Sequence, residues 1–69
     1  MATNWNEIAG KWEQLSGELK KQWGKLTDGE LTEIDGNHEK LSEKIQEKYG
    51  IEKQYADSQI DKWVEKMKK

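Results

Sequence analysis

The residue types that perform chemistry in proteins are few in this chain and lie far apart. It has no cysteine and one histidine, His38, whereas a zinc site needs three or four nitrogen or sulfur ligands. Ser16, Ser42 and Ser58 have no cysteine or second histidine to complete a nucleophilic relay. We therefore predict no catalytic, cofactor-binding or metal-binding residue, no small-molecule substrate and no enzymatic activity.

Carboxylates are abundant, but their spacing places them on solvated helix faces, without the burial that raises the pKa of a general acid. The segment TDGE, residues 27–30, lacks the alternating oxygen ligands of a twelve-residue calcium loop. Its Thr27 and Glu30 have the spacing of a helix capping box. Leu26 and Leu31 lie where a hydrophobic staple would brace the same helix start. We therefore interpret this segment as a corner between two helices.

Composition and charge exclude a further class of function, the binding of nucleic acids. The chain has 69 residues, 38% of them charged, and a formal net charge of −2. All its basic residues are lysine, whereas arginine is the side chain that reads guanine edges and clamps phosphates with two bonds. We therefore expect no nucleic-acid binding. The lack of cysteine and of a hydrophobic leader favours the cytoplasm, and so small a core supplies only about 3–5 kcal/mol of net stability.

Apolar residues recur at helical spacing, without proline and without the alternation of strands. The clearest stripe, with spacings of 3, 4, 4 and 3 residues, consists of Trp12, Leu15, Leu19, Trp23 and Leu26. Read along the chain, the pattern predicts helices over 4–9, 11–23, 28–35, 37–49 and 52–67. We therefore expect an all-α fold, a small bundle of four to five helices in a single domain, residues 1–69.

The chain also resembles itself at an offset of 26 residues, which suggests a duplicated helical hairpin, with halves 5–24 and 31–50, followed by the C-terminal helix. The matched pairs are Trp5 with Leu31, Ile8 with Ile34, Gly10 with Gly36, Trp12 with His38, Leu15 with Leu41, Ser16 with Ser42, Leu19 with Ile45, and Trp23-Gly24 with Tyr49-Gly50. Gly24 and Gly50 are expected to end helices in the left-handed conformation. The pattern leaves open whether Gly10 and Gly36 break helices or only weaken them.

The tryptophans allow two interpretations. The chain has no phenylalanine, so the core needs aromatic residues, and we place Trp12 and Trp23 in it. Trp5 and Trp63 lie nearer the chain ends and, with Met67, could form an exposed patch for a protein partner. The lysines around Trp63 could instead hold the C-terminal helix on a membrane surface, but the acidic residues of the same helix oppose this.

Three segments resemble a known family: WEQLSGELKKQWGKLTDGEL at 12–31, IDGNHEKLSEKIQEKYG at 34–50, and the amphipathic tail around Trp63. Together they resemble the CsbD-like family of small bacterial stress-response proteins. The resemblance implies a compact helical protein made under general, osmotic or stationary-phase stress, with no enzymatic activity and no established site residues. We therefore predict a non-enzymatic monomer that acts by solvation or weak contacts with unidentified proteins. The alternative is a specific helical adaptor that uses the tryptophan patch.

Overall fold

The computed structural model describes residues 5–67, and these form five helices without any strand. The helices are α1 (Trp5–Gly10), α2 (Trp12–Gln22), α3 (Asp28–Ile34), α4 (His38–Tyr49) and α5 (Lys53–Met67). The all-α prediction is therefore confirmed, and the predicted helix ends differ from the observed ones by one residue or less. The predicted first helical residue, Asn4, lies outside the described residues. None of the described helices is long and apolar enough to cross a membrane.

The core is one cluster of buried apolar side chains to which all five helices contribute. Nine of its members are residues named in the predicted stripe, the staple or the repeat pairs: Ile8, Trp12, Leu19, Trp23, Leu26, Leu31, Ile34, Leu41 and Ile45. Leu15 and Tyr49 are partly buried and pack against the cluster. Helix α5 packs chiefly on α4 and adds Ala56, Ile60, Trp63 and Val64. A fully buried side chain such as Val, Leu or Ile contributes about 1.5–3 kcal/mol. Burial of the apolar side chains of α5 against α4 therefore supplies a large part of the folding free energy.

The sequence predicts that Gly24 and Gly50 both end helices in the left-handed conformation. Gly50 takes the predicted left-handed conformation, with φ 64°, and its N–H bonds the Gln46 carbonyl at the end of α4. Gly24 does not have a positive φ, so the prediction of a left-handed cap there is wrong. Helix α2 ends because Trp23 itself leaves helical geometry, with φ −124° and ψ 81°, and its carbonyl accepts the Leu26 N–H at 3.0 Å. That turn closes without a left-handed residue.

The corner between α3 and α4 contains two consecutive left-handed residues. Asp35 has φ 49° and Gly36 has φ 79°, so Gly36 does break the helix. Gly10 does not: its φ is not positive, and it is the last residue of α1, separated from α2 by Lys11 alone. Asparagine and aspartate tolerate the left-handed region better than other β-carbon-bearing residues, which explains why Asp35 can accompany a glycine there.

The predicted capping box starts α3. The Thr27 hydroxyl accepts the Glu30 N–H at 3.2 Å, and the Glu30 carboxylate accepts the Thr27 N–H at 3.1 Å. Leu26 and Leu31, the expected staple, are both buried in the core. The interpretation of this segment as a helix corner is therefore correct.

Thr27→Ala is expected to lower the free energy of unfolding by about 0.5–2 kcal/mol, because it leaves the Glu30 N–H in the first turn of α3 without its side-chain acceptor. Chemical denaturation followed by circular dichroism measures the change. Thr32→Ala is the matched control, since its exposed hydroxyl donates only to the Asp28 carbonyl within the same helix. Equal stability of the two variants would show that the cap contributes nothing.

Candidate functional site

Trp5 is bound to the rest of the fold rather than presented to a partner. Its indole Nε1 donates to the Gly36 carbonyl oxygen at 2.7 Å. The Trp5 ring meets the His38 ring edge to face, with centroids 5.0 Å apart and an interplanar angle of 83°, and lies 6.1 Å from Trp12. His38 is partly buried at the first turn of α4. This aromatic contact holds α1 on the corner between α3 and α4.

Trp63 is in the core, so the predicted exposed patch of Trp5, Trp63 and Met67 does not form. Only 2% of Trp63 is exposed, and its ring lies 5.9 Å from that of Trp23. Met67 is partly buried against the core. The physical reason is that the apolar stripe of α5 packs on the apolar stripe of α4, which places Trp63 between the helices. Among residues 5–67, the one large apolar side chain that is exposed is Tyr55, at 57%.

The burial of that stripe also removes the apolar face that a membrane-surface helix would need. An interfacial helix inserts its apolar face among lipid headgroups, but Ala56, Ile60, Trp63 and Val64 are occupied within the folded domain. Among the residues of α5 that the structure describes, Tyr55 is therefore the one large apolar side chain left exposed beside the lysines.

Helix α3 is an acidic element held between lysines of α2 and α4. The helix contains Asp28, Glu30 and Glu33 and no basic residue. Three ion pairs connect it to its neighbours: Lys20–Asp28 at 2.9 Å, Lys44–Glu33 at 3.8 Å and Lys48–Glu30 at 2.8 Å. The helix period of α4 would pair its lysines with its own glutamates, but Lys44 and Lys48 extend to α3 instead.

Glu30 has two roles, in the cap and in the best shielded of these ion pairs. Its side chain is 18% exposed. The hydrogen bond from Lys48, with further help from the Thr27 N–H, holds the pKa of Glu30 below its ordinary value of 4.5. The same bond raises the pKa of Lys48. The spacing of Thr27 and Glu30 predicts the cap, whereas no local pattern predicts Lys48.

Glu30→Gln is expected to flatten the acid side of the stability profile. A lowered folded-state pKa means that folding favours the carboxylate, so this contribution is complete above the unfolded pKa of about 4.5 and is lost as the pH falls through the folded pKa. Glutamine is also found at this position of a capping box, so the substitution retains the cap but removes the charge. We therefore expect the variant to be less stable than the parent at pH 7 and to approach the stability of the parent as the pH falls below about 4.5.

Thermal melts across that pH range measure the effect. Glu33→Gln is the control, because the Glu33 side chain is 74% exposed and its ion pair is longer. Parallel profiles for the parent and Glu30→Gln would contradict the assignment of the charge effect to Glu30.

A second polar cluster lies between α4 and α5. Lys53 Nζ contacts Asp57 Oδ2 at 2.8 Å, and this bond, with help from the Ser42 hydroxyl, lowers the pKa of Asp57. Ser42 is 1% exposed and accepts the Gln46 Nε2 hydrogen bond at 3.3 Å. Serine, aspartate and the nearby His38 are the residue types of a hydrolytic triad, but a hydroxyl buried to this degree is closed to a substrate. The cluster joins two helices.

An open cleft of about 280 Å³ lies between α2 and α3. Its lining consists of Trp12, Glu13, Ser16, Asp28, Leu31, Thr32 and Asp35. Ligand sites are mostly apolar pockets with a few convergent polar groups, whereas this cleft is shallow and carries three carboxylates. No group of residues in the described chain has the geometry to hold a metal ion. The cleft has no recognisable catalytic arrangement.

Residues 6–58 match the sequence profile of the CsbD-like family. The chain belongs to the CsbD-like family. It is 47% identical over 60 residues to the UPF0337 protein YjbJ of Escherichia coli O6:H1, covering 87% of each chain. It is 45% identical over 60 residues to a UPF0337 protein of Pectobacterium atrosepticum, again covering 87% of each. A UPF0337 protein of Bordetella pertussis is 46% identical over 59 residues, 86% of this chain and 89% of that protein. No solved structure matches the chain.

The family match coincides with the elements described above. It runs from α1 into the first part of α5 and so includes the capping box, the Gly36 corner and Asp57, while Trp63 lies beyond it. The resemblance seen in the sequence is therefore confirmed, and the CsbD-like chain has the helical fold that this resemblance implies.

Proposed function

We propose that this CsbD-like protein acts without catalysis, as a stress-response protein that protects other macromolecules through its charged, hydrated surface and weak contacts. One observation carries the proposal. Within residues 5–67 every tryptophan is buried or partly buried, and Tyr55 is the single large apolar side chain left exposed. A surface of this kind offers little to a partner that binds by burying aromatic anchors, which dominate most specific interfaces.

The distribution of charge supports the same function. Aspartate and glutamate together number 14 and lysine 12, and both signs are interspersed along α2, α4 and α5. Mixed charges keep a protein soluble without a strong field of one sign, so contacts with a client stay weak whatever the client's charge. Molecules of this kind, packed between unfolding clients, retain water and separate the apolar surfaces that would otherwise aggregate.

The test is protection of a labile enzyme during drying or heating. The purified CsbD-like protein is expected to preserve more client activity than an equal mass of an inert globular protein. Trp63→Ala, which is expected to unfold the domain while changing a single residue of the composition, shows whether protection requires the folded domain. Protection no better than that of the inert protein would exclude the proposed function.

A further inference from the structure

The junction between α1 and α2 is a single distorted residue in an otherwise continuous helical path. The Lys11 N–H contacts the carbonyl oxygens of both Glu7, at 3.2 Å, and Ile8, at 3.1 Å, and the Leu15 N–H bonds the Lys11 carbonyl at 2.9 Å. Only Lys11 leaves helical geometry, with φ −110° and ψ 23°. A helix from residue 5 to residue 22 would therefore form if this one residue became helical.

In the bent form the first N–H groups of α2 lack hydrogen-bond acceptors, which a straight helix would supply. No side chain among the described residues caps the start of α2 at Lys11, although the first N–H groups of a helix need acceptors. In a continuous helix those groups would bond to carbonyls of α1. The bend persists because it lets α1 bind elsewhere in the fold.

That binding surface is the α1 seat, which we define as Gly36 and His38. Three contacts hold α1 there: the 2.7 Å hydrogen bond from Trp5 to the Gly36 carbonyl, the edge contact of Trp5 with His38, and the close approach of Ala9 to Gly36. A β-carbon at Gly36 would lie 3.1 Å from that of Ala9, so the seat fits this helix closely.

We propose that the α1 seat also takes the α1 helix of a second copy of this chain, which gives a domain-swapped dimer with a straight helix over residues 5–22. The occupant follows from the structure: the seat is complementary to α1, and an identical chain supplies an identical α1. Every docking contact is recovered in the dimer, and the uncapped start of α2 gains its acceptors. Exchange of an identical element is a low-cost route to dimers.

The protein concentration determines whether the monomer or the swapped dimer predominates. Within one chain α1 competes for its seat at an effective concentration on the millimolar scale or above, so the dimer is expected to become appreciable at about 1 mM protein. This proposal replaces the simple monomer that the sequence favours, and it is independent of the protective function.

The hinge variant Lys11→Gly tests the proposal. Lys11 is exposed and is the one residue that must become helical in the dimer, and glycine disfavours helical geometry relative to lysine by about three- to five-fold. Lys21→Gly is the matched control, because Lys21 is exposed within α2 and is helical in both forms. Light scattering after size exclusion, up to about 1 mM, is expected to show less dimer for Lys11→Gly than for either the parent or Lys21→Gly.

A second measurement separates a swapped dimer from ordinary association. Equal amounts of ¹⁵N-labelled and ¹³C-labelled chains are unfolded together, refolded at high concentration and examined by isotope-filtered NMR. Cross-peaks between the Trp5 indole N–H of one chain and His38 of another are expected. The proposal is overturned if the parent stays monomeric throughout, if the dimer fraction of Lys11→Gly equals that of Lys21→Gly, or if the Trp5–His38 cross-peaks arise only within single chains.

Discussion

Trp63→Ala is expected to unfold the domain at room temperature. Truncating a buried tryptophan costs about 3–5 kcal/mol, because the lost burial is followed by an unfilled cavity. The total stability expected of so small a core is of the same size, about 3–5 kcal/mol. Trp63 is 2% exposed and packs on Trp23, whose indole N–H donates to Gln59 of α5 at 3.0 Å. Its removal therefore weakens the contact of α5 with the end of α2 as well as with α4.

The measurement is far-ultraviolet circular dichroism together with the dispersion of the amide NMR spectrum. Tyr55→Ala is the control, because it removes an aromatic ring from the same helix at a position that is 57% exposed; surface changes of this kind usually stay within about 0.5 kcal/mol. A Trp63→Ala protein with a dispersed spectrum and native melting curve would mean that Trp63 is on the surface, as the adaptor hypothesis requires.

Gly36→Ala is expected to lower the free energy of unfolding by about 2–5 kcal/mol, the second largest effect of a single substitution that we predict. Two costs combine. A residue with a β-carbon pays about 1–2 kcal/mol for the left-handed conformation, and the new methyl group would lie 3.1 Å from the β-carbon and 3.2 Å from the Cα of Ala9. Relief of that contact requires α1 to move, which stretches the hydrogen bond from Trp5.

Gly50→Ala separates the two costs. Gly50 is also left-handed, with φ 64°, but a β-carbon there has no neighbour within 4 Å, so only the conformational cost of about 1–2 kcal/mol applies. Denaturation curves of the two variants give the difference, and the indole N–H resonance of Trp5 reports the displacement of α1 in Gly36→Ala. Equal destabilisation by both substitutions, with an unmoved Trp5 resonance, would show that α1 does not press on Gly36.

The helices and most of the core follow from local patterns. The stripe through Trp12, Leu19 and Trp23 repeats every turn, and such periodicity needs no knowledge of the partner surface. The Thr27–Glu30 cap is equally local, because both hydrogen bonds lie within four residues. The family resemblance rests on the same local segments, and for that reason it too could be recognised from the sequence.

Matched positions in the two halves of the proposed 26-residue repeat differ in backbone conformation, which local patterns do not predict. Gly24 and Gly50 occupy matched positions, yet only Gly50 is left-handed; Gly10 and Gly36 are also matched, yet only Gly36 is. Similar residues take different backbone conformations because their neighbours in space differ. Gly36 receives Ala9 and Trp5 of α1, whereas the turn after Trp23 closes through the Leu26 N–H. The duplication itself stays a prediction.

The sequence by itself determined an all-α chain, the positions of five helices, the α3 cap, most of the core and the family. Tertiary structure alone decided that Trp63 faces inward, that Glu30 pairs with Lys48, and that Trp5 is bound at Gly36. The physical reason is distance along the chain: helix period and caps act over three or four residues, whereas the Trp5–Gly36 hydrogen bond joins residues 31 positions apart. Which partner a side chain meets at that separation depends on how all five helices pack at once.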